Sequence, residues 1–141
     1  MIDKLLNAAM TKSDDQNTQT AAILSTAEGT PVLMSSNTLT VGVAASYEKT
    51  TRPGKDPWIE HSERNVIFKA ARLGISTQGL HLHMRWFPCA ECARAIAQSG
   101  ISVLHCGPQP SQRDKYHFYE AAEILSSANV VILQAEAENA R

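Results

Sequence analysis

Residues Leu80 to Cys106, LHLHMRWFPCAECARAIAQSGISVLHC, read as a strand, a helix and a second strand in succession. Leu80 to Trp86 alternates apolar and polar side chains after a turn at Gly79, the period of a half-buried strand. Pro88 presets the backbone for a helix start, the helix runs from Cys89 to about Gln98, and Ser99-Gly100 stops it. Ile101 to Cys106 returns as a strand. Two strands joined through a helix are expected parallel in one sheet, with a right-handed crossover.

Upstream, Thr20 to Thr26 and Val32 to Ser36 flank the turn Glu28-Gly29-Thr30-Pro31 and predict a hairpin, with a further extended piece from Leu39 to Val43. Met1 to about Lys12 carries Ile2, Leu5, Leu6, Ala9 and Met10 at helical spacing, and Ser13 to Asn17 is turn chemistry. Tyr47 to Pro57, with Lys49, Arg52, Lys55 and two prolines, predicts an exposed loop. From Trp58 onward Ile59, Val66, Ile67, Ala70, Ala71 and Leu73 predict a helix that stops near Gly74. Downstream come a loop at Gly107 to Ser111, a helix from Tyr116 to Ser127 and a last strand from Asn129 to Gln134.

The order α-β-β-α-β-α-β-α-β predicts the α/β class: a three-layer α/β/α sandwich around one five-stranded mixed sheet, its last strands parallel. The expected organisation is one domain over residues 1–141, with 135–141 as a frayed tail. Sites in such sheets collect where strand ends feed helix N-termini, which sets Trp58 to Glu63 and Phe87 to Cys89 on one rim.

Composition narrows the function classes. The chain has 141 residues, 43% of them hydrophobic, enough for a real core. Lys plus Arg is 13 against 14 for Asp plus Glu, a net charge of -1, which argues against a polynucleotide or an anionic membrane as partner. The densest apolar run, Val130 to Leu133, is strand-sized, and the opening residues lack a basic n-region with a long apolar h-region. Three cysteines do not make a disulfide scaffold, and the expected compartment is the cytoplasm.

Two fragments carry chemistry: His61-Ser62-Glu63 and Pro88-Cys89-Ala90-Glu91-Cys92. Each is weak alone, but in this order and at two expected helix starts they match the H-x-E…P-C-x-x-C signature of zinc nucleobase deaminases. Cys89 and Cys92, three apart on a first helical turn, can converge on one Zn²⁺, and the helix dipole favours their thiolates. His61 is the third expected ligand, and a three-ligand set leaves a tetrahedral position open for catalysis. Glu63 is the expected proton shuttle between the attacking water and the substrate ring nitrogen. Residues two apart on a helix point about 200° away from each other, so His61 and Glu63 serve one site only if the helix begins there. A four-ligand structural zinc would need one of His81, His83, His105 or Cys106; His81 and His83 share a strand face and could form a second metal site or an ordinary packed pair.

Trp58 to Asn65 and Trp86 to Ile96 resemble the deoxycytidylate (dCMP) deaminases of the cytidine deaminase superfamily. Thr18-Gln19-Thr20, Ser36-Asn37 and Asp114 to His117 resemble further segments of that family, so the likeness runs over most of residues 14–133. It implies zinc-dependent hydrolysis of dCMP to dUMP and ammonia, and a homo-oligomer, a hexamer or a dimer. By motif it carries the zinc ligands to His61, Cys89 and Cys92 and the proton shuttle to Glu63. It sets Asn37 against the sugar or base, and Asn65, Pro88 and Tyr116 in the nucleotide pocket. Position 62 is Ser where the family usually has Ala; its backbone N–H would help hold the substrate carbonyl.

A monophosphate needs cations, and Arg64, Arg52, Lys55 and Lys115 are the candidates. Trp58 and Trp86 flank the motifs and could wall the pocket; Trp86 could equally be core, and Trp58 a subunit contact. Two other functions share parts of the pattern: a tRNA-adenosine or other nucleobase deaminase with the same zinc motif, and an inactive zinc-stabilised interaction module. The near-neutral charge disfavours the first and the retained Glu63 the second.

Overall fold

The structure, a computed structural model, describes residues 1–135. The expected tail at 135–141 lies outside the described residues from 136 onward. In chain order the elements are α1 (Ile2–Met10), β1 (Ala21–Ser25), β2 (Pro31–Ser36), β3 (Thr38–Leu39), α2 (Tyr47–Thr50), β4 (Ile59–Glu60), α3 (Ser62–Leu73), β5 (His81–Met84), α4 (Ala90–Gln98), β6 (Val103–Cys106), α5 (Phe118–Ser127) and β7 (Val131–Gln134).

Five strands form one mixed sheet in the order β2-β1-β5-β6-β7. β1 runs antiparallel to both β2 and β5, whereas β5, β6 and β7 are parallel. This is the α/β sandwich expected from the element order. The alternation within β1 sorts the layers. Ala22 and Leu24 face a core built with Val66, Leu82, Ile96, Leu104 and Leu125, under α3, α4 and α5. Ala21 and Ile23 face the other way, onto Leu6 and Ala9 of α1. Burying each such Leu or Ile stabilises the fold by about 1.5–3 kcal/mol. Among the described residues no helix is long and apolar enough to cross a membrane.

Four local readings change. The extended piece expected from Leu39 to Val43 stops at Leu39, because Val43 N–H bonds to Thr40 O and turns the chain. Ile59–Glu60 is not helical but a two-residue strand paired with Thr38–Leu39, which delays the helix start to Ser62. Residues 47–57 are not a wholly exposed loop. They contain α2, and Thr50, Thr51 and Lys55 are buried. Lys55 Nζ pairs with Asp15 Oδ2 at 2.5 Å, and Thr51 Oγ1 donates to Tyr47 O, so these polar groups are satisfied inside. Trp86, just beyond β5, is 39% exposed rather than core.

Candidate active site

Two helix N-termini meet at the site. His61 is the N-cap residue of α3 and Cys89 that of α4, both with extended backbone. Neither side chain caps its own helix; both turn to a shared cluster. Because His61 lies outside the helical turn, its ring and the Glu63 side chain can address one cavity, which two residues within a helix could not.

His61 Nδ1 lies 3.6 Å from Cys89 Sγ and 3.4 Å from Cys92 Sγ. A tetrahedral zinc with ordinary Zn–S and Zn–N bonds separates its N and S ligands by about 3.6 Å, so these distances match the edges of such a site. The three donor atoms all lie within 4.8 Å of one another. Two soft sulfurs and one imidazole suit zinc in particular. Cys92 has no exposed surface and Cys89 is 9% exposed, so the metal position opens on the Cys89 side.

The electrostatics favour a thiolate before any ion arrives. The Cys92 thiol donates to Cys89, and with help from His61 this draws Cys89 down to about 4. The same hydrogen bond, then burial, then the Glu63 carboxylate push Cys92 up. His61 is raised, first by its hydrogen bond with Cys89 and, against the effect of burial, by the charge on Glu63.

Glu63 is 5% exposed and held by a chain of hydroxyls. Thr20 Oγ1 donates to Ser62 Oγ at 3.1 Å, and Ser62 Oγ donates to Glu63 Oε1 at 2.9 Å. Each hydroxyl has one proton, so the direction of the chain is fixed. Thr20 is itself fixed through its N–H, which donates to Asn37 Oδ1 at 2.9 Å.

The side-chain polar atoms of Asn37, Ser62, Asn65 and Arg64, residues the sequence reading set against the substrate, are engaged within the protein; for Ser62 the expectation concerned the backbone N–H, which these side-chain contacts leave untouched. Asn37 Nδ2 donates to Thr18 O and Asp15 Oδ2, and its Oδ1 also accepts from Ser13 Oγ. Asn65 Nδ2 donates to Ser36 O and Thr38 Oγ1, fastening α3 to the end of β2. Arg64 bridges Glu60 Oε1 at 2.5 Å and Glu91 Oε2 at 2.6 Å, tying the start of α3 to that of α4. Pro88 is fully buried beneath the start of α4, and Tyr116 O accepts the Ala90 N–H there. Of the four candidate cations, Lys55 is consumed by Asp15 and Arg64 by its two glutamates. Arg52 and Lys115 are exposed, Arg52 donating to Thr18 Oγ1 at 3.3 Å and Lys115 paired to Asp56. Lys49 sits 4.8 Å from the centroid of the half-exposed Trp58 ring.

The sequence reading missed Thr20 and Asp15. Nothing local marks them: Thr20 meets Ser62 across 42 positions, and Asp15 meets Lys55 across 40. The Arg64 clamp did leave a signal, the Glu60–Arg64 spacing of an ion pair four residues apart.

Residues 1–107 match the family described as the cytidine and deoxycytidylate deaminase zinc-binding region. The chain is 30% identical over 76 residues to ComE operon protein 2 of Bacillus subtilis (strain 168), covering 54% of this chain and 38% of that protein. It is 34% identical over 80 residues to the deoxycytidylate deaminase of Enterobacteria phage T4, covering 56% of this chain and 39% of that one. The chain thus spans less than half the length of these two relatives. Among solved structures, the dCMP deaminase from the cyanophage S-TIM5, in complex with dCMP and dUMP, superposes with a TM-score of 0.75 at 20% identity. That superposition covers 94% of this chain and 92% of the other, and it shows a shared fold.

Proposed function

The chain belongs to the cytidine and deoxycytidylate deaminase zinc-binding family, and on that premise we propose that it hydrolyses a cytosine nucleotide, dCMP to dUMP with release of ammonia. The observation that carries the reading is the convergence of His61, Cys89 and Cys92 at two helix N-termini beside a buried, hydroxyl-held Glu63. When bound by those three residues, zinc supplies the Lewis acidity that makes a water nucleophilic near neutral pH.

The remaining work falls to the side chains. Glu63 accepts the proton of the attacking water and hands it to the ring nitrogen next to the amino-bearing carbon. A C–O bond forms at that carbon as its double bond to the ring nitrogen becomes the new N–H; Glu63 then takes the second proton from the new hydroxyl and passes it to the amino group, and the C–N bond breaks to release ammonia and leave the carbonyl. Ser62 and Thr20 are positioning residues: they fix the Glu63 carboxylate where both transfers are in reach. Asn37 supports Thr20, and Arg64 keeps the two helix starts in register.

Ser62→Ala removes the donor to Glu63 Oε1 without touching the metal ligands. The expected result is a roughly tenfold loss in kcat, equivalent to about 1.4 kcal/mol, with KM and zinc content unchanged and Ser62→Thr recovering part of the loss. An unaltered kcat in Ser62→Ala would refute the positioning role.

Arg52 and Lys115 are the cations left to meet the monophosphate. Two charge-assisted hydrogen bonds of about 1.5–3 kcal/mol each, partly screened at the rim, favour a phosphorylated substrate by roughly 10²-fold in kcat/KM. Ammonia release measured over cytosine, cytidine, deoxycytidine, CMP, dCMP, guanine and adenosine-bearing RNA tests this. The reading expects dCMP first and Arg52→Ala to erode its advantage over deoxycytidine. Equal or faster turnover of the uncharged nucleoside overturns the monophosphate assignment.

A further inference from the structure

A second cluster of metal-ligating side chains lies outside the site just described. His81 and His83 are two apart on β5 and project from the same face of the sheet, about 6.6 Å apart along the strand. The parallel register places His105 of β6 directly beside His83. The face they share is opposite to that of Leu82 and Leu104, which enter the core under the helices. Three imidazoles therefore form a triangle on the α1 side of the sheet, and one ring nitrogen from each lies within 4.8 Å of the other two. All three are partly exposed, and His83 and His105 line a groove of about 640 Å³ together with Asp3, Leu6, Arg85 and Gln134.

The hydrogen bonds set which nitrogens are available. Ser25 Oγ lies 2.8 Å from His83 Nε2 and 2.9 Å from Thr26 O. A buried serine thus holds the His83 ring by Nε2, the kind of outer contact that orients metal-ligating histidines, and leaves Nδ1 outside that contact. His81 Nδ1 and His105 Nε2 lie 3.1 Å apart and share a single proton, the place a divalent ion would take. Two of the rings are biased towards the neutral form: His83 is lowered to about 4 by burial and then by His105 and His81, and His105 is lowered by burial and then by His81. A neutral imidazole is the form that binds a metal.

The geometry points to His81, His83 and His105 as a second metal site, taking one zinc-like first-row divalent ion per chain through three ring nitrogens. Such a set leaves one coordination position open towards the groove. One adjustment is built in. The His83 and His105 rings stack 4.1 Å apart and 7° from parallel, and an ion cannot lie in the plane of both. Ligation turns the His105 ring out of the stack and replaces its hydrogen bond with His81. Asp3, held by Arg85 at 3.3 Å, lines the same groove and supplies a carboxylate charge that acts on His83. No part of this depends on the deaminase reading.

The test uses the full chain without a polyhistidine tag, first loaded with one equivalent of Zn²⁺ and then titrated with Co²⁺. The expected result is uptake of one further equivalent, with ligand-field bands of nitrogen ligation and no thiolate-to-cobalt charge-transfer band. His83→Gln and His105→Gln should each weaken this uptake by more than about tenfold while the first zinc equivalent stays bound. A readout that needs no variant is proton NMR of the imidazoles: bound Co²⁺ should broaden the His81, His83 and His105 resonances and leave His117 sharp. No further uptake, uptake unchanged in both variants, or broadening centred on another residue overturns the proposal. A charge-transfer band would show cobalt replacing zinc on Cys89 and Cys92 instead, and would overturn it as well.

Discussion

Glu63→Gln should keep the fold and the metal and lose about 10²–10⁴-fold in kcat, or roughly 2.7–5.5 kcal/mol of transition-state stabilisation. The side chain is 5% exposed, and glutamine fills the same volume, so packing is preserved. Its amide oxygen can still accept from Ser62 Oγ as the carboxylate does at 2.9 Å. What the amide cannot do is take a proton from water and give it up again. Ammonia release at saturating dCMP, with zinc content measured on the same sample, separates the two effects. A kcat within about twofold of the parent, with zinc bound, would remove Glu63 from the proton path.

Stripping the metal should have an effect at least as large. Chelation at neutral pH is expected to lower turnover by more than about 10³-fold, since a Lewis acid contributes several kcal/mol at the transition state. Zn²⁺ in stoichiometric amount should restore it. The thermal midpoint should fall too, because His61, Cys89 and Cys92 are gathered within 4.8 Å and an ion that binds only this arrangement stabilises it by mass action. Cys92→Ser should bind zinc worse than Cys89→Ser, as Cys92 has no exposed surface from which water could replace the missing sulfur. Activity that survives chelation with no zinc remaining would refute a metal-dependent mechanism.

These effects rest on residues legible in the sequence for a simple reason. The candidate metal ligands sit at helix starts, and helix starts are local: Pro88 before Cys89, and an acidic Glu63 in the first turn after His61. The strand-helix-strand unit over Leu80 to Cys106 was legible for the same reason, its period changing from two to 3.6 and back between Gly79 and Gly100. The mixed sheet of five strands with its last strands parallel then followed from the connections, whereas the order β2-β1-β5-β6-β7 comes from the structure.

What escaped depends on contacts between distant segments. Ile59–Glu60 has the apolar pattern of the helix that follows, and only pairing with Thr38–Leu39 makes it a strand. Lys55 looks like a loop cation until Asp15 buries it. Asn37 reads as a pocket residue by its place after β2, yet its amide is saturated by Thr18, Asp15, Ser13 and Thr20, which makes it a support for Glu63. The shared face of His81 and His83 was visible from their spacing. That His105 completes the triangle follows from register alone.

The most direct measurement is product formation from dCMP by protein of known zinc content, with dUMP and ammonia quantified together. The expected result is equal amounts of the two products, formed at a rate proportional to zinc occupancy and saturating at one zinc per chain in the Cys89–Cys92–His61 site. Fully zinc-loaded, folded protein that forms neither product from dCMP nor ammonia from any cytosine nucleotide would contradict the assignment of this site as a deaminase centre.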